Sequence, residues 1–181
     1  VCESRTQPQT RRPAVLPRSL RFNQVVGVDL VDFDEEGFSF KMMNCVCWGT
    51  GYQQAAIITG TTALEARDAF AELWVKHYGC PELVVTDQGP EFTGAAFVDW
   101  LGQFGVLHHH INSQSPYEQG RTERAGQSLK EDIKDIIVEC GIGLHEEVKV
   151  ALCEAINARN RYVNRSGYSA HQRVLDRKST R

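Results

Sequence analysis

Three acidic residues stand in apolar or glycine-containing surroundings. Asp29 lies in Val25-Val26-Gly27-Val28-Asp29-Leu30, and Asp87 closes the run Leu83-Val84-Val85-Thr86-Asp87. Glu123 follows Gly120 and opens a long helical pattern, with 35 residues between it and Asp87. Two strand ends and one helix would bring three carboxylates to a single point. Such sets hold hard divalent cations, and Mg²⁺ takes a few carboxylates together with phosphate oxygens. Two ions suit in-line displacement at phosphorus. The chemistry implied is phosphoryl transfer on nucleic acid. Against each residue taken alone stands an ordinary alternative, a solvated strand-end Asp or a turn-capping Asp.

The surroundings of these acids add to the pattern. Thr86-Asp87-Gln88-Gly89-Pro90-Glu91-Phe92 places an acid at the C-terminal end of a strand before a glycine turn, where open α/β sheets bind ligands. Glu91 reads as a nearby polar residue, with DNA contact as its expected role and metal ligation excluded. On the helix from Thr122, Leu129, Ile133, Ile136 and Ile137 mark an apolar face. Glu123, Gln127, Lys130 and Lys134 fall at i, i+4, i+7 and i+11 and share a second face. That face offers a carboxylate at its start and amines further along, a layout for a metal followed by a DNA backbone. Its ordinary alternative is a solvated, salt-bridged helix face.

The elements that must position these groups follow from periodicity. Residues 1–21 carry Pro8, Pro13 and Pro17 among arginines and read as a linker. Strands are expected at 25–33, 38–48 and 52–59, with turn chemistry at Asp34-Glu35-Glu36-Gly37. Thr61-Thr62 caps a helix over 63–78 that Gly79 stops. A short strand at 83–86, a helix at 94–104 and a strand at 107–111 come next. An irregular loop is expected over 112–120, then helices at 122–140 and 144–162. The sum is an α/β fold, a five-stranded mixed sheet flanked by helices, with right-handed parallel crossovers.

Bulk properties agree with one domain. The 181 residues suffice for one well-buried core. No apolar stretch approaches the ~20 residues a membrane helix needs, so no membrane partner is expected. The six cysteines form no Cys-x-x-Cys pair, and Cys45 and Cys47 share a strand face, which points to reduced, buried thiols and an intracellular setting. The net charge of −3 conceals +4 over residues 1–24 and +6 over 157–181, on an acidic middle. Basic ends suit phosphate contacts, and the acidic middle suits metal-holding carboxylates.

Taken together, these residues resemble the catalytic core of retroviral and retrotransposon integrases, a branch of the ribonuclease-H-like polynucleotidyl transferases. The resemblance rests on Gly27-Val28-Asp29, on Thr86 to Phe92, on the 35-residue gap, and on Gly120-Arg121-Thr122-Glu123-Arg124. Asn164-Arg165-Ser166-Gly167-Tyr168-Ser169-Ala170 resembles the segment that closes the core in gypsy-type elements. It implies a core over 22–165 and a basic C-terminal segment over 166–181. It also implies a ribonuclease-H-like fold and two Mg²⁺ or Mn²⁺ ions on Asp29, Asp87 and Glu123. The expected activity is 3′-end processing and strand transfer on element-end and target DNA, in the nucleus at the time of integration.

By the same resemblance Gln119 and Gly120 match the mobile loop before the catalytic Glu. Lys130 matches a lysine that touches element-end DNA, and Arg124, Gln127 and Lys134 are further candidate DNA contacts. Cys2 resembles the last ligand of the family's His-His-Cys-Cys zinc domain; the other three ligands are absent, so no zinc is expected here. The family's C-terminal DNA-binding domain is not expected either. The chain departs from the family's Tyr-x-Pro-Gln-x-x-Gly loop, reading Gln114-Ser115-Pro116-Tyr117-Glu118-Gln119-Gly120. A homodimer or higher oligomer is expected, with Trp74, Leu152 and Ile156 as candidate interface residues. Two rivals stand beside this reading. One is a domesticated or inactive DNA-binding or dimerisation module. The other is a ribonuclease H, which usually adds a Glu on its first helix, where Glu65 and Glu72 are available.

Overall fold

A computed structural model describes residues 21–111, 116–163 and 167–175; side chains are described outside 116–119. Cys2, most of the linker, residues 112–115 and 164–166, and the end of the basic C-terminal segment lie outside the described residues.

The sheet begins as a meander. β1 (Val25–Glu35) pairs antiparallel with β2 (Phe38–Cys47) from Val26↔Cys47 to Glu35↔Phe38. The hairpin closes through Glu36 and Gly37, both at positive φ (53° and 79°). Two left-handed residues are what a two-residue type I′ loop demands, because its twist matches the strands. The expected four-residue turn is thus narrower, and β1 runs two residues longer than expected. β2 pairs antiparallel with β3 (Gln53–Ile58).

Helix α1 (Ala63–Phe70) starts at a capping box. Thr62 accepts from the Glu65 N–H, and the Glu65 carboxylate accepts from the Thr62 N–H. A π-helical turn (Ala71–Val75) carries the buried Trp74 into α2 (Lys76–Tyr78). Gly79, at φ 76°, ends it as expected. Asn23 fastens that end: its Nδ2 donates to the carbonyl of Tyr78 at 2.9 Å, and its Oδ1 accepts from Trp74 Nε1 at 2.8 Å. β4 (Leu83–Thr86), α3 (Pro90–Thr93), α4 (Ala95–Gln103) and β5 (Leu107–His110) follow. β4 is parallel to both β1 and β5, and the strand order is β3-β2-β1-β4-β5. This is the expected five-stranded mixed sheet.

Helix α5 (Pro116–Cys140) begins six residues earlier than the sequence leads one to expect, so 116–120 are helical rather than loop. Proline fits the first helical turn, where its missing N–H would have no partner. Gly120 is buried there. α6 (His145–Arg161) and α7 (Ala170–Leu175) complete the chain. In α7, Ala170 is buried and Val174 packs on the core, so part of the 166–181 segment lies against the body.

The period-two alternation of the strands divides the core. Val26, Val28, Met43, Cys45 and Cys47 pack with Phe70, Trp74, Phe92 and Phe97 on one face. Phe33, Met42 and Ala55 pack with Leu129, Ile133, Ile137, Val148, Leu152 and Ile156 on the other. Trp74, Leu152 and Ile156 are 0, 4 and 6% exposed, which corrects their expected place at a subunit interface. Helical periodicity marks an apolar face without saying whether the chain itself covers it. Cys45 and Cys47 are buried free thiols. Among the described residues no helix is long and apolar enough to cross a membrane.

Candidate active site

Asp29 and Asp87 are set side by side by register. β1 and β4 pair at Val25↔Leu83, Val26↔Val84 and Gly27↔Val85. The same spacing carried two residues further brings Asp29 level with Asp87, and registered neighbours point to one face of the sheet. Asp29 sits in the middle of β1, not at a strand end as expected, because β1 continues into its hairpin while β4 stops at Thr86. Past that stop β4 no longer covers the flank of β1, and a pocket opens there. It is lined by Asp29, Asp87 and Glu123 with Val28, Val85, Thr86, Ile111 and Thr122.

Helix α5 brings Glu123 in. Its first turns lie close against β1: a Cβ on Gly27 would meet Thr122 Oγ1 and, at 2.7 Å, Trp48 Nε1. A Cβ on Gly126 would meet Val31 Cγ2 at 2.8 Å. Trp48 Nε1 donates to Thr122 Oγ1 at 3.2 Å. Two glycines, one on the strand and one on the helix, thus permit an approach that any side chain would block. Neither glycine announces this approach in the sequence.

Asp87 and Glu123 both act on Asp29. Asp29 is raised from its ordinary 3.8 to about 7, first by burial, then by the charges of Asp87 and Glu123, with a smaller push from Glu91. The Leu30 N–H donates to Asp29 and opposes the rise. Among the described residues no three acidic, His or Cys side chains are drawn together to metal-holding distance as they stand. A divalent cation bound among them would offset the repulsion that raises Asp29. The donor set is entirely carboxylate oxygen, which fits Mg²⁺ or Mn²⁺. A larger cleft of about 510 Å³ lies between α5 and α6, and it contains none of the three acids.

Asp87 is held from the sheet side. Its Oδ1 accepts from the Gly89 N–H at 3.0 Å. Thr86 Oγ1 lies 2.9 Å from His108 Nε2 and 3.4 Å from His110 Nδ1, and His110 Nδ1 lies 3.3 Å from the Asp87 carbonyl. Burial, then His110 and His109, push His108 down to about 4, so it is neutral at physiological pH. The run His108-His109-His110 in a short strand beside an acid was the available signal for this cluster.

The remaining expected residues divide. Gly120 is buried under the Arg124 guanidinium, and Arg124 is exposed beside Glu123. Gln127 is exposed and donates to Glu131 at 3.4 Å. Lys130 is half-buried. Lys134 is engaged by the β1–β2 hairpin, 2.6 Å from Glu35 and 3.8 Å from Glu36. The Gln119 side chain lies outside the described residues. Glu65 is engaged by the Thr62 cap and Glu72, on the π-helical turn, by Lys76, and neither lines the pocket of the three acids.

Comparison with known proteins gives the same picture. No family model matches the chain. It is 29% identical over 109 residues, 60% of its length, to the Gag-Pro-Pol polyprotein of bovine leukemia virus. It is 30% identical over 114 residues, 63% of its length, to the Pol-related polyprotein of mouse intracisternal A-particle MIA14. The matches span only 8% and 13% of those polyproteins. The magnesium-bound HTLV-2 integrase catalytic core, solved in trimeric and dimeric forms, superposes in its trimeric form with a TM-score of 0.72 at 20% identity, over 86% of this chain and 98% of that one. The simian T-cell lymphotropic virus intasome, in complex with PP2A regulatory subunit B56 gamma, gives 0.78 at 20% identity, over 92% of this chain and 59% of that one. In fold this chain is a ribonuclease-H-like α/β protein of the integrase-core type, and in both sequence and fold it resembles the catalytic core of retroviral and retrotransposon integrases.

Proposed function

We propose that this chain is the catalytic core of a retroelement integrase, which trims the 3′ ends of element DNA and joins them to target DNA. The observation that carries the reading is the convergence of Asp29, Asp87 and Glu123 on one pocket of an integrase-type fold. Asp29 supplies a carboxylate from within β1 and Asp87 one from the residue that follows β4, and Glu123 closes the set from a helix. Asp29, half-buried and repelled by its neighbours, is the residue with most to gain from a cation. Two Mg²⁺ or Mn²⁺ ions bound there would activate water, then a DNA 3′-hydroxyl, and stabilise charge at phosphorus. The magnesium-bound HTLV-2 core supports that choice of metal.

The chain's other residues serve the DNA. Arg124, Gln127 and Lys130 follow Glu123 along the open face of α5, and Lys134 joins them when phosphate displaces its glutamates. Gln119 and Gly120 form the turn leading into Glu123. The protein works as a homodimer or larger assembly, as the oligomeric HTLV-2 cores and the intasome suggest.

The test is joining of branched DNA substrates with and without Mg²⁺. Glu123→Gln keeps size and hydrogen bonding but removes the charge, and strand transfer should collapse by orders of magnitude. Asp29→Asn and Asp87→Asn should do the same, and the three losses should not multiply. Glu131→Gln is the control and should stay active within about a few-fold, since surface changes outside the site are near neutral. A Glu123→Gln protein that joins DNA as well as the parent does would leave an inactive binding module as the better reading.

A further inference from the structure

Beneath α5 lies a file of buried amides that phosphoryl-transfer chemistry does not itself use. Asn44, Gln53 and Asn160 are 0, 2 and 4% exposed. Gln53 is the hub. Its Nε2 donates to Asn44 Oδ1 at 2.8 Å and to the Ala125 carbonyl at 3.2 Å, while its Oε1 accepts from Arg159 Nε at 2.8 Å. Its backbone N–H donates to Asn160 Oδ1 at 2.9 Å, and its carbonyl accepts from Asn160 Nδ2 at 2.7 Å. Asn44 Nδ2 continues to the Thr122 carbonyl at 3.5 Å.

These contacts bracket Glu123. The carbonyls of Thr122 and Ala125, one residue before it and two after, are the ones held from below. The apolar anchors of α5, Leu129, Ile133 and Ile137, begin more than a turn later. Apolar contacts are non-directional and tolerate small rotation of a helix. Hydrogen bonds from a buried, fully partnered amide do not, because a displaced partner leaves a buried polar group unpaired. A small rotation of the first turns of α5 would swing Glu123 away from Asp29 and Asp87.

We propose that Gln53, acting with Asn44, is a positioning residue that sets the rotation and height of the first turns of α5 and so holds Glu123 at the metal pocket. The proposal rests on the integrase reading for the purpose of that pocket. Asn160 and Arg159 fix Gln53 from α6, and Asp132 fixes Arg159 at 2.8 Å.

The test uses the full 181-residue chain with Gln53→Glu and, should that variant fold poorly, Gln53→Met. Gln53→Glu keeps size and the acceptor for Arg159 but loses both donors toward Asn44 and α5. Amide hydrogen exchange over 120–127 should quicken by about tenfold against the parent, with 129–137 little changed. Mn²⁺ affinity, read calorimetrically, should weaken by roughly tenfold, as loss of a supporting partner does in metal sites. The added negative charge alone would tighten cation binding, so the direction separates positioning from electrostatics. Exchange that quickens equally along α5, or Mn²⁺ binding as tight as the parent's or tighter, would overturn the proposal. A parent whose Mn²⁺ binding survives Asp87→Asn would sink the metal reading of the pocket, and the exchange pattern would still decide whether Gln53 positions α5.

Discussion

Asp29 should be a liability to the folded chain whenever metal is absent, and Asp29→Asn should therefore stabilise a protein it inactivates. The carboxyl is raised from 3.8 to about 7, first by burial and then by Asp87 and Glu123. Below about pH 4 it is protonated in the folded and the unfolded chain alike and has no effect on stability. As pH rises from there, the unfolded chain gives up its proton while the folded chain keeps it, so stability falls until about pH 7 and then levels off. A rise from 3.8 to about 7 corresponds to at most ~4 kcal/mol. Asp29 is half-buried, and screening by solvent in the open pocket reduces this to about 2 kcal/mol. For a chain of this size that is a rise of about 4–8 °C in Tm for Asp29→Asn at pH 8. The side-chain oxygen of Asn can keep the Leu30 N–H, so little is lost in exchange. The assay is thermal melting of parent and variant in EDTA at pH 5 and pH 8, repeated with Mn²⁺. The gap between the two proteins should widen toward pH 8, and Mn²⁺ should raise the parent's Tm and leave the variant's unchanged. A variant that melts at or below the parent at pH 8 in EDTA would refute the electrostatic reasoning.

Three further outcomes are expected. Lys130→Glu should weaken binding of element-end DNA and reduce the slope of log affinity against log salt by about one, since one phosphate contact is lost; an unchanged slope in a fluorescence-anisotropy titration would place Lys130 off the DNA. Gly27→Ala would drive a methyl into Thr122 Oγ1 and the Trp48 indole, and urea unfolding should show a loss of about 1–3 kcal/mol; an undiminished midpoint would mean that α5 shifts freely over β1. Sedimentation of the full chain should show a dimer at high micromolar concentration, burying at least the ~1,200 Å² of a stable interface; monomer alone would count against the assembly.

How much of this is legible in the sequence depends on the range of the interaction. Period-two and 3.6-residue patterns are local, so the five strands, the capped helix at Thr62 and the stop at Gly79 can be read directly. Local rules also misplace some boundaries. Glycine and a polar run before Glu123 resemble a turn, whereas the helix runs back to Pro116, a residue that fits a first helical turn. The apolar faces of the helical stretch over 63–78 and of α6 are visible, but whether the sheet or a second subunit covers them is a tertiary fact, and Trp74, Leu152 and Ile156 are buried in clusters with the sheet's residues.

The sequence by itself determined the three acids, their spacing and their residue type, since a carboxylate in an apolar run is costly unless something uses it. Only the tertiary structure decided that they meet. Parallel register sets Asp29 beside Asp87, and the close approach at Gly27 and Gly126 lets α5 deliver Glu123. The amides that steady that helix were silent as well. Asn160 lies 107 residues from Gln53, and a buried hydrogen bond between distant residues leaves no period in the sequence.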